Sequence, residues 1–467
     1  MQNLLVMKFG GTSVGSAARI AASCELIRKE AVTRPVVAVV SAMSKITDLL
    51  LDTTRHAESG DRAKVDRNLE TLESRHLEAA AELVPESELT RVTSLISALI
   101  GEFRRITGGM EMLAYRPPRA VDEAIAIGER LSSVLVSEYL KSRGLDAAAV
   151  NAAEVVVTDA VFNNASPIMD ATREKAAARL GPLLTAGIVP VVTGFNGATA
   201  DGRPTTLGRG GSDFSASILA ASLDASELWI WSDVDGIMTA DPRLVPTASI
   251  LSEITYAEAA ELAWAGAKVL HPRTLAPIVD RGIPVWSKNS FAPHKPGTRI
   301  VSRLGEGNAG ARAVTSMANV ALVSLEPANP AVSGVHVMAR ALDALDRVNV
   351  EILALSSSSY RQSFCFLVRN EELTRSLEAI ESALALEMAH GYVREPEVDH
   401  NVGLLAVVGE GMRGFSGFAG RIFTAVSREN INIIAIAQGS SELTISVVVR
   451  RDGLEKAVRA VHAECQL

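Results

Sequence analysis

A lysine, two glycines and two hydroxyl side chains stand close together near the start of the sequence, where Lys8-Phe9-Gly10-Gly11-Thr12-Ser13 ends an apolar run. Small residues between a strand and a helix let backbone N–H groups approach an anion at the helix N-terminus. Lys8 would add a full positive charge beside such a phosphate site. The segment is neither a G-x-G-x-x-G fingerprint nor a Walker A loop, and glycine pairs are common in ordinary βα turns. By itself it leaves two interpretations open, a phosphate site or a plain turn.

A second stretch of the same kind is Thr206-Leu207-Gly208-Arg209-Gly210-Gly211-Ser212-Asp213, followed by a helical pattern over 214–222. Backbone donors, a hydroxyl, a guanidinium and a carboxylate would meet at one helix N-terminus, which suits binding an anion and orienting a neighbouring cation. The alternative is a glycine turn in which Ser212 caps the helix. Because a cap requires neither Arg209 nor so many glycines, the stretch favours the anion site.

Four further stretches carry groups that could assist such a site. They are Ser41–Thr47, Gly128–Ser133, Trp231–Arg243 and Gly266–Pro272. Three of them have an ordinary structural alternative, since aspartate-rich turns are commonly solvated and a helix dipole favours Glu129 at a helix start and Lys268 at a helix end. The spacing of Asp233 and Asp235 does not match an EF-hand loop, so we expect no dedicated calcium site.

Short runs of valine and isoleucine alternate with longer helical patterns over the first 300 or so residues, which predicts a mainly parallel sheet covered by helices on both faces. The predicted strands are Leu4–Phe9, Val36–Ser41, Val155–Val157, Val189–Thr193, Leu228–Ser232 and Pro284–Ser287. Their unbroken hydrophobicity indicates burial on both faces. The region 55–115 instead predicts long helices that pack on the sheet. Trp231–Arg243 leaves the carboxyl end of a predicted strand, where open α/β sheets bind ligands.

Composition limits the kind of protein and of partner. Of the 467 residues, 48% are hydrophobic and 21% are charged, and the length predicts about two to four domains. The formal net charge of −8 offers no basic surface for nucleic acid or an anionic membrane, so any phosphate site must be local. The 3 cysteines form no C-x-x-C pair, which argues against a disulfide framework and a structural zinc site. We find no signal peptide or membrane-spanning run and expect a cytoplasmic protein.

The segment 291–312 contains two prolines and four glycines and marks the predicted domain boundary. Beyond it the chain repeats itself at an offset of 81 residues, because Arg347–Leu355 matches Arg428–Ile436 and Ser363–Val368 matches Thr444–Val449. Each copy predicts the order strand, helix, strand, strand, helix. Two small α/β modules should therefore follow the large one.

Five of these motifs, in this order, resemble the aspartate kinases of the amino-acid kinase superfamily. They are Lys8–Gly15, Gly128–Ser132, Leu207–Asp213, Asp233–Ile237 and Gly266–Pro272. The resemblance covers essentially the whole chain, because aspartate kinases also carry two C-terminal ACT modules. It implies an amino-acid-kinase-like αβα sandwich at 1–303, followed by a regulatory region at 304–467. One ferredoxin-like ACT module would span about 318–392, and the other about 311–317 together with 393–467.

The family implies transfer of a phosphoryl group from ATP to the β-carboxylate of L-aspartate, with Mg²⁺ bridging ATP oxygens. The product would be 4-phospho-L-aspartate, at the first step of the pathway to lysine, threonine and methionine. The attacking carboxylate is already ionised near neutral pH and requires no general base. Positioning and charge stabilisation would then suffice, so the lack of a Ser-His-Asp set is no objection.

The resemblance also assigns roles to single residues. Lys8 would neutralise charge on the phosphoryl group as it is transferred, and Asp213 would orient the Lys8 side chain. The aspartate-binding residues would be Thr47, Glu129, Arg209, Gly210 and Ser212. Glu129 would meet the substrate ammonium group and Arg209 its α-carboxylate. The nucleotide-binding residues would be Lys8, Gly10, Gly11, Ser41, Ser232, Asp233, Gly236, Met238, Arg243 and Lys268. Met238 stands where many relatives have tyrosine, and a thioether cannot stack on adenine as an aromatic ring does.

ACT modules bind effector amino acids where they pair, and Asn430, Gln438 and Ser440 resemble the family's effector motif. The alternative is a polar turn between strands. The family suggests feedback inhibition by lysine or threonine, and the motif in the second copy favours threonine. ACT pairing between chains implies a homodimer or tetramer, and we expect no homoserine dehydrogenase half after Leu467.

Two other functions stay open at this point. Another carboxylate kinase of the superfamily, such as a glutamate 5-kinase, would phosphorylate a different amino acid, although Glu129 and the ACT pair favour aspartate. A regulator that senses amino acids but has lost catalysis would keep the same fold. The presence of Lys8, Arg209, Asp213 and Lys268 argues against such a loss.

Overall fold

The structure is a computed structural model that describes residues 3–208, 210–267, 270, 272–305, 310–328, 332–358 and 363–467. The chain forms two compact units. The first comprises Met1–Ile237 and Leu270–Ser302, and the second comprises Met238–Val269 and Arg303–Leu467. The break after Ser302 lies inside the predicted boundary segment 291–312.

The strands are β1 (Leu5–Phe9), β2 (Val36–Val40), β3 (Ala147–Val150), β4 (Val157–Thr158), β5 (Val189–Thr193), β6 (Asn196–Thr199), β7 (Pro204–Thr206), β8 (Glu227–Ser232), β9 (Glu253–Thr255), β10 (Val285–Asn289), β11 (Thr298–Val301), β12 (Ala313–Leu325), β13 (Ala354–Ser357), β14 (Phe364–Arg369), β15 (Glu397–Val408), β16 (Ile433–Gln438) and β17 (Thr444–Arg450). The helices are α1 (Ala17–Ala31), α2 (Ile46–Glu58), α3 (Arg62–Leu83), α4 (Glu86–Leu113), α5 (Pro118–Ile125), α6 (Ile127–Ser142), α7 (Met169–Thr185), α8 (Gly211–Ser222), α9 (Tyr256–Trp264), α10 (Pro272–Val279), α11 (Gly334–Arg347), α12 (Leu373–Ala383), α13 (Ala385–Ala389), α14 (Phe418–Arg428) and α15 (Leu454–Glu464). Within the described ranges, no helix combines the length and the apolar character that crossing a membrane requires.

The main sheet of the first unit has the order β3-β5-β2-β1-β8-β10-β11. Neighbouring strands are parallel, except that β11 runs antiparallel to β10. Every residue of β1, β2 and β5 is buried, which explains their unbroken apolar runs. Successive side chains point to opposite faces, so Met7 and Phe9 join the buried cluster of α1, α3, α4 and α6, while Lys8 faces the other side. The predicted α/β class with a mainly parallel sheet is confirmed.

The long helices predicted for 55–115 are present as α2, α3 and α4. Asp61 begins α3 as its N-cap by accepting a hydrogen bond from the N–H of Lys64 at 3.2 Å. Leu69 and Leu72 of α3 and Phe103 of α4 belong to the cluster that covers one face of the sheet. The helical region is therefore part of the core of the first unit.

The edge of the main sheet differs from the prediction. The sequence predicts Val155–Val157 as a strand, whereas the edge strand is β3, and Val157 belongs to a separate small sheet with the order β4-β6-β7. Alanine has a low β-propensity, so Ala147–Val150 gives no strand signal. Pairing with Val189–Val192 of β5 imposes the strand conformation on it.

The second unit contains a sheet with the order β13-β14-β12-β15-β17-β16. The order β12, α11, β13, β14, α12 and the order β15, α14, β16, β17, α15 confirm the predicted repeat. The repeat extends to single backbone angles, because Asn349 and Asn430 follow the ends of α11 and α14 with φ of 53° and 57°. The first part of β12, Ala313–Met317, pairs with Leu404–Val408 of β15. This pairing favours assigning 311–317 to the second copy.

Residues 238–267 pack in the second unit, although the sequence assigns them to the catalytic region. The N–H of Val314 donates to the carbonyl of Thr239 at 2.7 Å, and the Thr239 hydroxyl bonds to Nε2 of His462 at 3.0 Å. Ala240 is buried in the core of the second ACT-like copy. Such contacts join segments far apart in the chain, so periodicity along the sequence cannot reveal them.

Candidate active site

A cavity of about 400 Å³ lies in the first unit at the carboxyl ends of β1 and β2. Parallel strands end at one edge of their sheet, and the loops that leave this edge converge on a common space. The predicted site residues on the cavity wall are Lys8, Gly11, Ser41, Thr47, Glu129, Gly210, Ser212 and Asp213. Residues as far apart in the chain as Lys8 and Asp213 therefore share one site.

Lys8 and Asp213 form an ion pair on this wall. Lys8 lies in β1 between Val39 of β2 and Ile230 of β8, and its side chain is 9% exposed. Asp213 lies in the first turn of α8, where the helix dipole favours a carboxylate. Because an unpaired charge is costly to bury, Asp213 stabilises the ammonium group of Lys8 and fixes its position.

The start of α8 packs tightly against the loop after β5. Gly210 precedes the helix with φ of 70°, a left-handed conformation that favours glycine. A Cβ on Gly211 would lie 2.6 Å from the ring of Phe195, and one on Gly194 would lie 2.8 Å from Cβ of Ser212. The N–H of Gly211 donates to the carbonyl of Gly208 at 3.0 Å, so the donors that this helix start can offer to an anion in the cavity are the next N–H groups, those of Ser212 and Asp213.

We predict that Gly194→Ala will displace Ser212 and disturb the cavity. The added methyl group would lie 2.9 Å from the Ser212 hydroxyl, and overpacking of this kind costs roughly 1–3 kcal/mol. We expect the midpoint temperature of thermal unfolding to fall and the KM for the substrates to rise. Gly108→Ala is the matched control, because a Cβ at that helical position meets nothing within 4 Å. Equal behaviour of the two variants would contradict the tight packing.

Glu129 is a buried carboxylate whose hydrogen bonding is incomplete. It lies in the first turn of α6 and is 2% exposed. Its Oε1 accepts a hydrogen bond from the N–H of Ala42 at 3.1 Å, while Oε2 has no partner within the described residues. Burial raises the pKa of this carboxyl to about 8, against the opposing effects of the Ala42 N–H and the charge of Lys8. An unpartnered carboxylate oxygen on a cavity wall suits a cationic ligand such as an ammonium group.

The raised pKa of Glu129 predicts that the unliganded protein loses stability as pH rises. The folded state keeps a proton up to about pH 8, whereas the unfolded carboxyl releases it near its ordinary pKa of 4.5. Between about pH 6 and pH 8, the wild type should lose about 2 kcal/mol of unfolding free energy relative to Glu129→Gln, which cannot titrate. Urea unfolding at the two pH values measures this difference. Parallel pH profiles for the two proteins would contradict it.

The two glycines after β1 have different positions. The N–H of Gly10 donates to the carbonyl of Trp231 at 3.1 Å and so continues the pairing of β1 with β8. Gly11 lies on the cavity wall, and a Cβ there would lie 3.1 Å from the carbonyl oxygen of Ala42. A strand neighbour therefore already accepts the N–H of Gly10, and the assignment of Gly10 to the nucleotide stays a prediction.

The other predicted nucleotide-binding residues do not line this cavity. They are Ser232 at the end of β8, Asp233 and Gly236 after it in the first unit, and Met238 and Arg243 in the second unit. Arg243 forms a salt bridge of 2.5 Å with Asp241, and its side chain is 77% exposed. Arg209 and Lys268 lie outside the described residues. The nucleotide assignment of this group stays a prediction.

Some residues of the cavity wall are not among the site residues predicted from the sequence. These residues are Thr12, Ala42, Met43, Ser44, Lys45, Asp48, Phe195 and Gly211. Phe195 has a left-handed φ of 72°, and its N–H donates to the hydroxyl of Ser215 at 2.9 Å. The sequence does indicate that Phe195 could line the site, because Gly194–Gly197 directly follows the predicted strand Val189–Thr193 and ligands bind at the carboxyl ends of such strands.

The predicted effector residues do not converge within the second ACT-like copy. Asn430 precedes β16, Gln438 ends it and Ser440 follows it, and all three are exposed. A strand of 6 residues spans ~20 Å, which is far longer than a free amino acid. Asn430 therefore lies at the opposite end of β16 from Gln438 and Ser440, and the assignment of the three residues to one effector site stays a prediction.

Two family models match the chain. The model described as Amino acid kinase family matches residues 3–289, and a model described as ACT domain matches residues 405–465. The first match covers more than half of the chain and includes the whole cavity wall. The chain therefore belongs to the amino acid kinase family.

Similar proteins narrow this class. The chain is 34% identical to the chloroplastic bifunctional aspartokinase/homoserine dehydrogenase 1 of Arabidopsis thaliana, over 99% of the chain and 51% of that relative, so it spans about half of that relative's length. The crystal structure of E. coli aspartokinase III in complex with aspartate and ADP has a TM-score of 0.84 and 30% identity, with 100% of both chains covered. The same enzyme in complex with lysine and aspartate, in the T-state, has a TM-score of 0.81 and 31% identity over 99% of each chain. Within the amino acid kinases, the chain is an aspartokinase-family protein with a C-terminal ACT region.

Proposed function

We propose that this protein is an aspartate kinase, which transfers the γ-phosphoryl group of ATP to the β-carboxylate of L-aspartate and releases ADP. One observation carries the proposal, namely that a cavity of about 400 Å³ holds both the Lys8–Asp213 ion pair and the Glu129 carboxylate, one oxygen of which has no hydrogen-bond partner among the described residues. The lysine suits a phosphoryl or carboxylate group, and Glu129 suits an ammonium group. ATP offers the phosphoryl group, and an amino acid with a second carboxylate offers the ammonium and carboxylate groups. The E. coli relative described with aspartate and ADP supports this choice.

The proposed reaction proceeds without a general base. A β-carboxylate oxygen of aspartate attacks the γ-phosphorus, and the bond from that phosphorus to the bridging oxygen breaks and leaves ADP. Lys8, held by Asp213, offsets the negative charge of the two reacting anions. The start of α8 adds backbone N–H donors.

Substrate selection would rest on the groups around the amino acid. Ionised Glu129 would hold the ammonium group, so binding of aspartate would release the proton that the free carboxyl keeps up to about pH 8. Thr47, Gly210 and Ser212, which share the cavity wall, would complete the pocket. Arg209 would pair with the α-carboxylate, a role that rests on the family resemblance.

Mg²⁺ would reach this site bound to ATP. Within the described residues, no group of three or more His, Cys, Asp or Glu side chains could hold a metal ion. Mg²⁺ is commonly held by substrate phosphates with one or two carboxylates, and Asp213 is available as such a carboxylate beside Lys8. The residues present therefore fit an ion carried by the nucleotide, which would neutralise phosphate charge.

Measurement of ADP release tests the proposed function. The purified chain is incubated with MgATP and either aspartate or glutamate, each with and without lysine and threonine. We expect kcat/KM for aspartate to exceed that for glutamate by ~10²-fold, because a longer chain displaces the reacting carboxylate. Preference for glutamate would indicate another amino-acid kinase. Absence of turnover with both would contradict catalysis.

Regulation by an end-product amino acid is part of the proposal. The ACT match and the E. coli relative described with lysine favour binding of lysine or threonine, and the separation of Asn430 from Ser440 favours a site completed by pairing of modules. We propose a homodimer or tetramer and a cytoplasmic location. Isothermal titration with each amino acid, together with mass measurement in solution, tests these points. Binding of neither amino acid would reject the regulatory proposal.

A further inference from the structure

Arg75 of α3 donates hydrogen bonds to two loops of the cavity. Its Nη1 donates to the carbonyl of Ser44 at 3.1 Å, and its Nη2 donates to the carbonyl of Gly15 at 3.5 Å. Gly15 ends the loop after β1, residues 10–15, here called the β1 loop. Ser44 lies in the loop after β2, residues 41–45, here called the β2 loop. One guanidinium group therefore joins both loops from outside the cavity wall, since Arg75 itself does not line it.

The two loops touch each other at more than one point. A Cβ on Gly11 would lie 3.1 Å from the carbonyl oxygen of Ala42, and one on Gly15 would lie 3.2 Å from Cβ of Ser44. Both loops supply cavity residues, Gly11 and Thr12 from the first and 41–45 from the second. Their separation therefore determines the width of the cavity on this side.

The hydrogen bond from Arg75 to the Ser44 carbonyl lies next to a residue of the β2 loop that has an unfavourable backbone conformation. Lys45 has a φ of 65°, in the left-handed region that residues with a Cβ seldom adopt. The carbonyl of Ser44 belongs to the peptide that joins it to Lys45. Strained conformations persist only when their surroundings hold them, and Arg75 supplies such a restraint.

We propose that Arg75 is a positioning residue that holds the β1 loop and the β2 loop at the separation the substrates require. The planar guanidinium presents two donors in a fixed geometry, which lets it span two carbonyls. A lysine ammonium group is a single compact charge and lacks this fork of two donors. The proposal rests on the proposed kinase function and assigns α3, predicted only to pack on the sheet, a task in the site.

Three variants test the proposal. Arg75→Met keeps the apolar stem but removes both donors, and Arg75→Lys keeps the charge. Arg67→Met is the control, because Arg67 is exposed on the same helix. We expect Arg75→Met to lower kcat by ~10²-fold, on the scale of a displacement of about 1 Å in a site, and Arg75→Lys to fall between it and the wild type. Turnover of Arg75→Met equal to that of Arg67→Met would overturn the proposal.

Hydrogen exchange of backbone amides provides a test that needs no turnover. We expect residues 10–15 and 41–45 to exchange at least ~10-fold faster in Arg75→Met than in Arg67→Met, with the rest of the first unit unchanged. Loss of protection spread evenly over the unit, or none in the two loops, would overturn the positioning role. If the wild type released no ADP with aspartate, the proposed function would fail, while this measurement would still decide the role of Arg75.

Discussion

Lys8→Met is expected to lower kcat for aspartate-dependent ADP release by at least ~10²-fold, the scale of losing one preorganised charge donor. Methionine has a similar length but no charge, so it leaves the repulsion between the two reacting anions uncompensated. Lys8 lies in a central strand and is paired with Asp213, which means that its ammonium group is in place before substrates bind. Steady-state kinetics at saturating ATP and aspartate measure the effect.

Two companion variants separate charge from folding. Lys29→Met removes an exposed lysine of α1 and should leave kcat unchanged. Asp213→Asn keeps the Lys8 charge but weakens its orientation, so its kcat should fall less than that of Lys8→Met. Circular dichroism verifies that each variant is folded. Turnover near the wild-type value in folded Lys8→Met would refute the catalytic role.

Glu129→Gln is expected to raise the KM for aspartate by ~10²- to 10³-fold and to change the KM for ATP much less. The neutral amide cannot pair with the substrate ammonium group, and removing one partner of a buried ion pair costs about 3–5 kcal/mol. The carboxylate has an oxygen without a partner in the described part of the protein, so it is prepared for this ligand. Initial rates over a matrix of the two substrates separate the two KM values.

The pH dependence of aspartate binding provides a second signature of Glu129. Its carboxyl must be ionised to pair with ammonium, and burial raises its pKa to about 8 in the free protein. The wild-type KM for aspartate should therefore rise as pH falls below about 8, and this rise should vanish in Glu129→Gln. Glu78→Gln, an exposed change on α3, should keep the wild-type profile. An equal rise in the KM for ATP in Glu129→Gln would instead indicate a structural role.

The sequence by itself determined the class of the protein and the core of its site. Buried parallel strands leave continuous apolar runs, and the ACT-like repeat leaves an offset of 81 residues, because both patterns follow from local burial and backbone preference. Lys8 and Asp213 lie in motifs whose glycines and charges are visible in the chain. Their pairing in one cavity agrees with what those motifs predict.

Only the tertiary structure decided how these groups are used. One buried oxygen of Glu129 has no hydrogen-bond partner in the part of the chain that the structure describes, the end of β8 accepts the N–H of Gly10, and Arg75 reaches two loops that lie 31 and 60 residues away in the chain. The assignment of 238–267 to the second unit arises in the same way. Each of these facts depends on contacts between segments distant in sequence. Local propensity and spacing carry no information about such contacts, whereas the packed fold specifies them through burial and hydrogen-bond pairing.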